Sequence, residues 1–138
     1  RSTYICSPSL MTEQDLNSTG EKETLGLLQP FLVFQIFIPS GKPLHIEIAV
    51  TDQDKTRRRL IFHSGSAKAG IVLNPLHARI PINSFGRDQW LNLSIDVYAF
   101  VHFCFRGVDI KSIDLIQLTS HCHLRRIFTM RSPLLDDD

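Results

Sequence analysis

The sequence predicts an all-β fold, a sandwich or jelly roll of antiparallel strands. Short apolar runs of strand character recur along the chain, with turn-forming residues between them, and no amphipathic segment is long enough for a substantial helix. The 138 residues suit a single hydrophobic core, and 43% apolar with 21% charged residues is a typical globular composition. No apolar run approaches the ~20 residues that span a bilayer.

The N-terminal third of the sequence predicts one strand and one long loop, and a short segment before the loop is compatible with a second strand. Tyr4 and Ile5 are compatible with a strand, whereas residues 7–24 are rich in Ser, Thr, Glu and Asn and predict a solvated loop. Phe31–Ile38 is mostly β-branched and aromatic and lies between two prolines, which predicts a strand. It is apolar on both faces except at Gln35, so we expect it at the centre of a sheet.

The rest of the chain continues this pattern. Residues 98–105 are dense in aromatics and predict a short helix or a buried crossover, ended by Gly107. The other segments alternate or are rich in β-branched residues and predict strands. They are Leu44–Val50, Arg57–His63, Ile71–Leu73, Ala78–Ile82, Trp90–Val97, Ile110–Ser120 and Leu124–Met130.

The strand before residue 51 and the strand after residue 56 predict a hairpin. Core residues must face core residues, because a slip of one residue would turn one strand's apolar side outward. We expect a five-residue loop, residues 51–55, which places Leu60 opposite Ile46. The same register places Arg59 opposite Glu47 as a favourable cross-strand pair.

The net charge of +1 conceals an asymmetry along the chain. Residues 1–54 contain 3 basic and 7 acidic residues, whereas residues 55–131 contain 12 basic and 4 acidic ones. We expect one domain over residues 1–131, followed by an acidic tail at 132–138. A strongly basic region favours an acidic partner, either protein or nucleic acid.

Basic residues cluster at the hairpin and on the last strand. Arginine forks bind carboxylates or phosphates well, although charge runs are often only solvated surface. The predicted partner-binding residues are Lys55, Arg57, Arg58, Arg59, Arg125 and Arg126.

The sequence shows no catalytic or metal motif. It has no phosphate-binding glycine loop and no nucleophile elbow, so we expect no enzyme activity, cofactor or small-molecule substrate. His121-Cys122-His123 is too small a set for a zinc site, and in a strand Cys122 would point away from both imidazoles. Three widely spaced cysteines predict buried free thiols in a reducing compartment.

Several segments share their order and spacing with a known family. They are Ser2–Ile5 with Pro8, Thr24–Gly26 with Pro30–Val33, Val50 and Asp52 with Arg57–Arg59, Trp90 with Leu93, Ile95, Val97 and Phe100, and Cys122 with Leu124–Ile127. Over residues 2–131 the chain resembles the domain family of cilia- and flagella-associated protein 20. It departs from the family pattern at residues 10–22, 64–87 and 101–105.

The resemblance implies a jelly-roll-like sandwich and a structural, non-enzymatic role. Family members attach to the microtubule wall of cilia or centrioles, notably near the inner junction of the doublet. It implies tubulin and neighbouring axonemal proteins as partners, and the cytoskeleton of the axoneme or basal body as location. The two arginine clusters are the positions that would carry this contact. Because the family's domain normally begins earlier, we expect its first strands to be missing from this chain or not included in it.

Two other binding functions are compatible with the sequence. Nucleic-acid binding through the same basic face requires exposed aromatics among the arginines, and near the hairpin only Phe62 is available, which the register turns inward. Glycan binding requires an exposed aromatic platform, for which Trp90 and Tyr98 are candidates. We expect these two rings instead to pack against the second sheet or a covering loop.

Overall fold

A computed structural model describes residues 4–6, 29–65, 70–83 and 85–132 of the chain. These residues form nine strands and one helix, which confirms the all-β prediction. No helix in these ranges is long and apolar enough to cross a membrane. The elements are β1 (Tyr4–Cys6), β2 (Phe31–Phe37), β3 (His45–Asp52), β4 (Arg57–His63), β5 (Val72–Leu73), β6 (His77–Pro81), β7 (Trp90–Asp96), α1 (Val97–Cys104), β8 (Ile110–Thr119) and β9 (His123–Met130).

The strands form two sheets. Six strands lie in the order β1-β8-β3-β4-β6-β5, and three lie in the order β7-β2-β9. The predicted central position of β2 is therefore confirmed, and so is the strand at Tyr4 and Ile5. The predicted loop at residues 7–24 and the tail beyond residue 132 lie outside the described residues.

One core lies between the two sheets. Alternate residues of β3 and β4 face alternate residues of β2, as the period-two patterns predict. Burying each large apolar side chain contributes about 1.5–3 kcal/mol relative to leaving it exposed. The largest fully buried side chains include Phe34, Phe62, Leu32, Ile36, Ile46, Ile48, Leu60, Ile113, Ile116 and Leu118.

The expectation that all strands are antiparallel is wrong for one pair. β4 and β6 run parallel, with Arg59 beside His77 and Ile61 beside Arg79. Residues 64–76 connect them, which is the dozen or so residues that a parallel crossover requires. The chain thus returns to the start of β4 before β6 begins, and it places the outward side chains of β6 beside those of β4.

The predicted hairpin register is wrong by two residues. Leu60 lies opposite Ile48, not Ile46, and the Asp52 amide donates to the Thr56 carbonyl across 2.9 Å. The loop therefore has three residues, 53–55, with Lys55 in the left-handed region at φ 69°. Three-residue hairpin loops commonly end in such a residue. The inward and outward faces are as predicted, because a shift of two residues preserves them.

The aromatic segment after β7 is a helix, one of the two predicted alternatives. The Asp96 carboxylate accepts from the Ala99 amide across 3.0 Å and caps the N-terminus of α1. At the C-terminus the Gly107 amide donates to the His102 carbonyl across 2.8 Å, and Arg106 adopts φ 49°. This is a Schellman-type ending, so Gly107 ends the helix as predicted.

Candidate functional site

The six predicted binding residues do not form one surface. β4, which carries three of the arginines, belongs to the six-stranded sheet, whereas β9, which carries Arg125 and Arg126, belongs to the three-stranded sheet. Since the sheets bury their inner faces against each other, outward side chains on β4 and β9 point to opposite sides of the sandwich. The molecule therefore has two separate arginine surfaces.

The first surface is the outer side of β4, β6 and the hairpin loop, here called the basic face. Arg57 and Arg59 alternate with buried Leu60 along β4, so both point to solvent. The parallel pairing with β6 adds the exposed side chain of Arg79 to the same side. The basic face consists of Lys55, Arg57, Arg59, His77 and Arg79.

Arg79 was missed by the sequence-based prediction, although a signal for it exists. Ala78 and Ile80 are buried, and the residue between two inward residues of a strand must point outward. What the pattern could not show is that β6 lies beside β4, since only the crossover places it there. Neither Arg57 nor Arg79 makes an ion pair with another described residue.

Arg58 is on the other side of β4 and has a structural role. Its Nε donates to Asp52 Oδ2 across 3.0 Å, and the two side chains are only 17% and 2% exposed. Its guanidinium also lies 5.1 Å from the centre of the Phe105 ring and donates to the Pro75 carbonyl. These contacts use most of the Arg58 guanidinium inside the fold, although Arg58 still contributes to the walls of two surface cavities.

Arg59 uses only some of its hydrogen-bond donors within the fold. Its Nη1 donates to Glu47 Oε2 across 2.7 Å, so the predicted ion pair forms, although Arg59 lies directly opposite Ala49. The Arg59 side chain remains 51% exposed. A guanidinium has five N–H donors, so this pairing leaves most of them for a partner.

A cavity of about 280 Å³ opens beside the two exposed arginines of β4. Leu76, His77 and Leu115 contribute to its walls. Asp114 at its base is 4% exposed and accepts hydrogen bonds from the hydroxyls of Ser112 and Thr51. The lining of this cavity therefore combines guanidinium groups with the buried Asp114 carboxylate.

His63 extends the basic face without adding charge to it. Burial, followed by the nearby charges of Arg79 and His45, lowers the pKa of His63 below its usual 6.5. Its Nδ1 accepts from the Gly65 amide across 3.1 Å, which also favours the neutral imidazole. His63 therefore adds no positive charge to the basic face at neutral pH.

The second surface is the outer side of the three-stranded sheet, here called the aromatic face. The register of β9 against β2 shifts between Gln35 and Ile36, so Arg125 is an extra, bulged residue. Arg126 donates to Gln35 Oε1 across 3.0 Å, and the Arg125 guanidinium lies 4.7 Å from the centre of the Trp90 ring. The bulge thus turns two successive arginines to the same side.

The aromatic face exposes Trp90, one of the two rings that we expected to be packed away. Trp90 is 47% exposed and stands in a row with Phe37 and His123, with centroid distances of 5.9 Å and 5.7 Å between successive rings. The packing expectation for Trp90 is therefore wrong. Tyr98 does not lie on this sheet. It lies on α1 and packs against the core. The aromatic face consists of Phe37, Trp90, His123, Arg125 and Arg126.

The thiols of Cys104 and Cys122 are poorly suited to nucleophilic chemistry. Burial raises the pKa of Cys122 to about 11 and also raises that of Cys104. Both thiols therefore remain protonated at neutral pH. No group of three or more His, Cys, Asp or Glu side chains in the described ranges could hold a metal ion.

Comparison with known families gives a match over nearly the whole chain. The family model described as the CFA20 domain matches residues 2–138. The match includes both arginine surfaces and the strands that carry them.

Proposed function

The chain belongs to the CFA20-domain family, and we propose that it is a non-enzymatic structural module that attaches to ciliary or centriolar microtubules. The name of the domain associates its proteins with cilia and flagella. The proposed partners are tubulin in the microtubule wall, as at the inner junction of the doublet, and neighbouring axonemal proteins. The proposed location is accordingly the axoneme or the basal body.

The observation that carries this proposal is the basic face. Arg57 and Arg79 are exposed, lie on adjacent strands and make no ion pair with another described residue. Lys55 stands at the end of the same hairpin, and Arg59 is half exposed. Tubulin is an acidic partner, and arginine forks match carboxylates in geometry as well as in charge.

The opposite placement of the two arginine surfaces supports a bridging role. A stiff sandwich that binds a microtubule through the basic face leaves the aromatic face exposed on its far side. Arg125 and Trp90 are residue types that are enriched at protein interfaces. We therefore propose that the aromatic face contacts a neighbouring axonemal protein, so that the domain fixes the distance between two partners.

Co-sedimentation with microtubules assembled from purified tubulin tests the attachment. The basic-face variant is Arg57→Glu together with Arg79→Glu, because Arg59→Glu would also place two carboxylates together at Glu47. Its matched control is Arg125→Glu together with Arg126→Glu, which makes the same charge change on the aromatic face.

We expect the wild-type protein to pellet less as salt rises, since exposed charges are screened over about 10 Å at 0.1 M. The basic-face variant should lose pelleting at low salt, while the control retains it. Unchanged pelleting of a correctly folded basic-face variant would contradict the proposed contact.

One observation favours nucleic-acid binding as a second candidate function. Single-stranded nucleic acids bind where aromatic rings for stacking lie among positive charges. The basic face has no such rings, but the aromatic face has Trp90 and Phe37 beside Arg125. Competition with single-stranded DNA and RNA tests this candidate. Binding that requires Trp90 and survives the basic-face substitutions would support it.

A further inference from the structure

Four exposed apolar side chains lie at the edge of the basic face. Ile71, Val72, Leu73 and Leu76 are each between 44% and 54% exposed. They are close in sequence and follow the β5 edge and the turn into β6. Single exposed apolar residues are ordinary, but several of them along one sheet edge mark an interaction site more often than chance. We call these four residues the apolar ridge.

The turn that carries the ridge is held rigidly. Asn74 Oδ1 accepts from the amides of Leu76 and His77 across 2.9 Å and 2.8 Å. The Arg59 amide donates to the Leu76 carbonyl across 2.9 Å, and Arg58 donates to the Pro75 carbonyl. Leu76 therefore stands in solvent on a backbone that is fixed before any partner arrives. Such preorganisation lowers the entropic cost of binding.

Arginines flank the ridge on both sides of the sheet edge. Leu76 lines the cavity of about 280 Å³ with Arg57 and Arg59. Leu73 lies beside the buried Ala78, so it points to the opposite side of the sheet from Val72. There it lines a second cavity, of about 320 Å³, with Arg58 and Arg106.

The register also places Val72 directly beside Arg79. An apolar centre with a polar, arginine-rich rim is the usual composition of a protein–protein interface.

We infer that the apolar ridge is the centre of a docking surface for an ordered protein surface that carries apolar side chains ringed by carboxylates. This inference rests on the proposed function, because the basic face supplies the rim. A nucleic-acid backbone would match the arginines but would leave the ridge uncovered. A second copy of this chain would bring like-charged arginines together around the ridge, which disfavours self-association.

Microtubule co-sedimentation over a salt series distinguishes the contribution of the apolar ridge to binding from that of the charged residues. The ridge variant is Leu73→Ser together with Leu76→Ser, and Leu76→Ser alone serves if the double variant folds poorly. We expect the ridge variant to lose about tenfold in affinity at every salt concentration, as for loss of an interface hot spot. The basic-face variant, by contrast, should already fail to pellet at low salt, where the ridge variant still shows weakened binding.

Phe103→Ser is the matched control, because it removes an exposed apolar side chain, 68% exposed, from α1, which belongs to neither sheet. It should bind microtubules like the wild type. Salt-dependent wild-type binding that the ridge variant retains in full would overturn the inference while leaving the proposed function intact. Equal losses in the ridge variant and in Phe103→Ser would overturn it as well.

Failure of the wild type to pellet at any salt concentration would instead contradict the proposed function itself. Sedimentation velocity of the wild-type protein tests whether a second copy of this chain covers the ridge. A dimer that the ridge substitutions dissociate would show that a second copy covers the ridge, and it would overturn the inference.

Discussion

Arg58 donates from Nε to Asp52 Oδ2 across 3.0 Å, and this nearly buried pair closes the β3–β4 hairpin from within. The second carboxylate oxygen accepts from the amides of Asp54 and Thr56, across 2.8 Å and 2.9 Å. Asp52 thereby organises the loop that carries Lys55. Arg58 is the one arginine of the triplet that faces inward. By holding this end of the hairpin from within, it fixes the positions from which Arg57 and Arg59 face outward.

Removing Asp52 should destabilise the fold far more than removing Glu47, which pairs with a half-exposed arginine of the same hairpin. Asp52→Ala leaves the Arg58 charge buried without a partner, which typically costs about 3–5 kcal/mol of unfolding free energy. Glu47→Ala breaks a pair whose arginine is half exposed, and such pairs contribute about 0–1 kcal/mol. Urea unfolding of both variants measures the difference, and equal losses would contradict the structural role of Asp52.

The same carboxylate should make stability fall in acid. Burial alone would raise the pKa of Asp52, but hydrogen bonds from the Thr56 amide, Arg58 and the Asp54 amide outweigh it and lower the pKa below 3.8. A lowered folded-state pKa stabilises the protein above pH 3.8, and this contribution is lost as pH falls through the folded value.

The difference in unfolding free energy between wild type and Asp52→Asn tests this pH dependence. It should therefore be larger at about pH 6 than at about pH 3. A difference that stays constant between these pH values would contradict the assignment of the effect to Asp52.

The hairpin shows what the sequence pattern can and cannot predict about this fold. The alternation of Leu60 and Phe62 with arginines fixes which residues point inward, and that prediction is confirmed. It does not fix the register, because shifts of two residues satisfy the same alternation. The register depends on the left-handed residue that ends the loop, and here that residue is Lys55, where glycine would have been the recognisable signal.

The candidate site shows the same division between local and long-range information. The outward positions of Arg57 and Arg59 follow from local alternation, as does that of Arg79. Their assembly into one surface depends on the parallel β4–β6 pair, which no local pattern reveals. The joint outward direction of Arg125 and Arg126 depends on a bulge, whereas regular alternation would have separated them.

Lys55→Gly should stabilise the domain slightly. Lys55 holds φ 69°, and a left-handed conformation costs a residue with a side chain roughly 1–2 kcal/mol, whereas glycine adopts it freely. The extra flexibility of glycine in the unfolded chain offsets about 0.4–1 kcal/mol of this gain. Thermal unfolding should show a rise in Tm of roughly 2 °C. Lys55→Ala is the control, and a gain of the same size there would contradict the backbone explanation.

Cys104 and Cys122 should react slowly with iodoacetamide in the folded protein. Burial raises the pKa of both thiols, that of Cys122 to about 11, so few thiolates exist at neutral pH. Mass spectrometry of peptides after labelling at about pH 7.5 should show at least about tenfold slower modification than in urea. Rapid labelling of either thiol without denaturant would show that its burial is not maintained in solution.

Trp90 fluorescence should report on the aromatic face, because Trp90 is the only tryptophan of the chain. The Arg125 guanidinium lies 4.7 Å from the ring centre and covers part of the indole. Arg125→Ala should increase acrylamide quenching of Trp90, while an exposed cation–π contact of this kind contributes only about 0.5–1 kcal/mol to stability. Arg126→Ala is the matched control, since its guanidinium lies over Phe128 instead, and it should leave quenching unchanged. Equal quenching in wild type and Arg125→Ala would contradict the stacked arrangement.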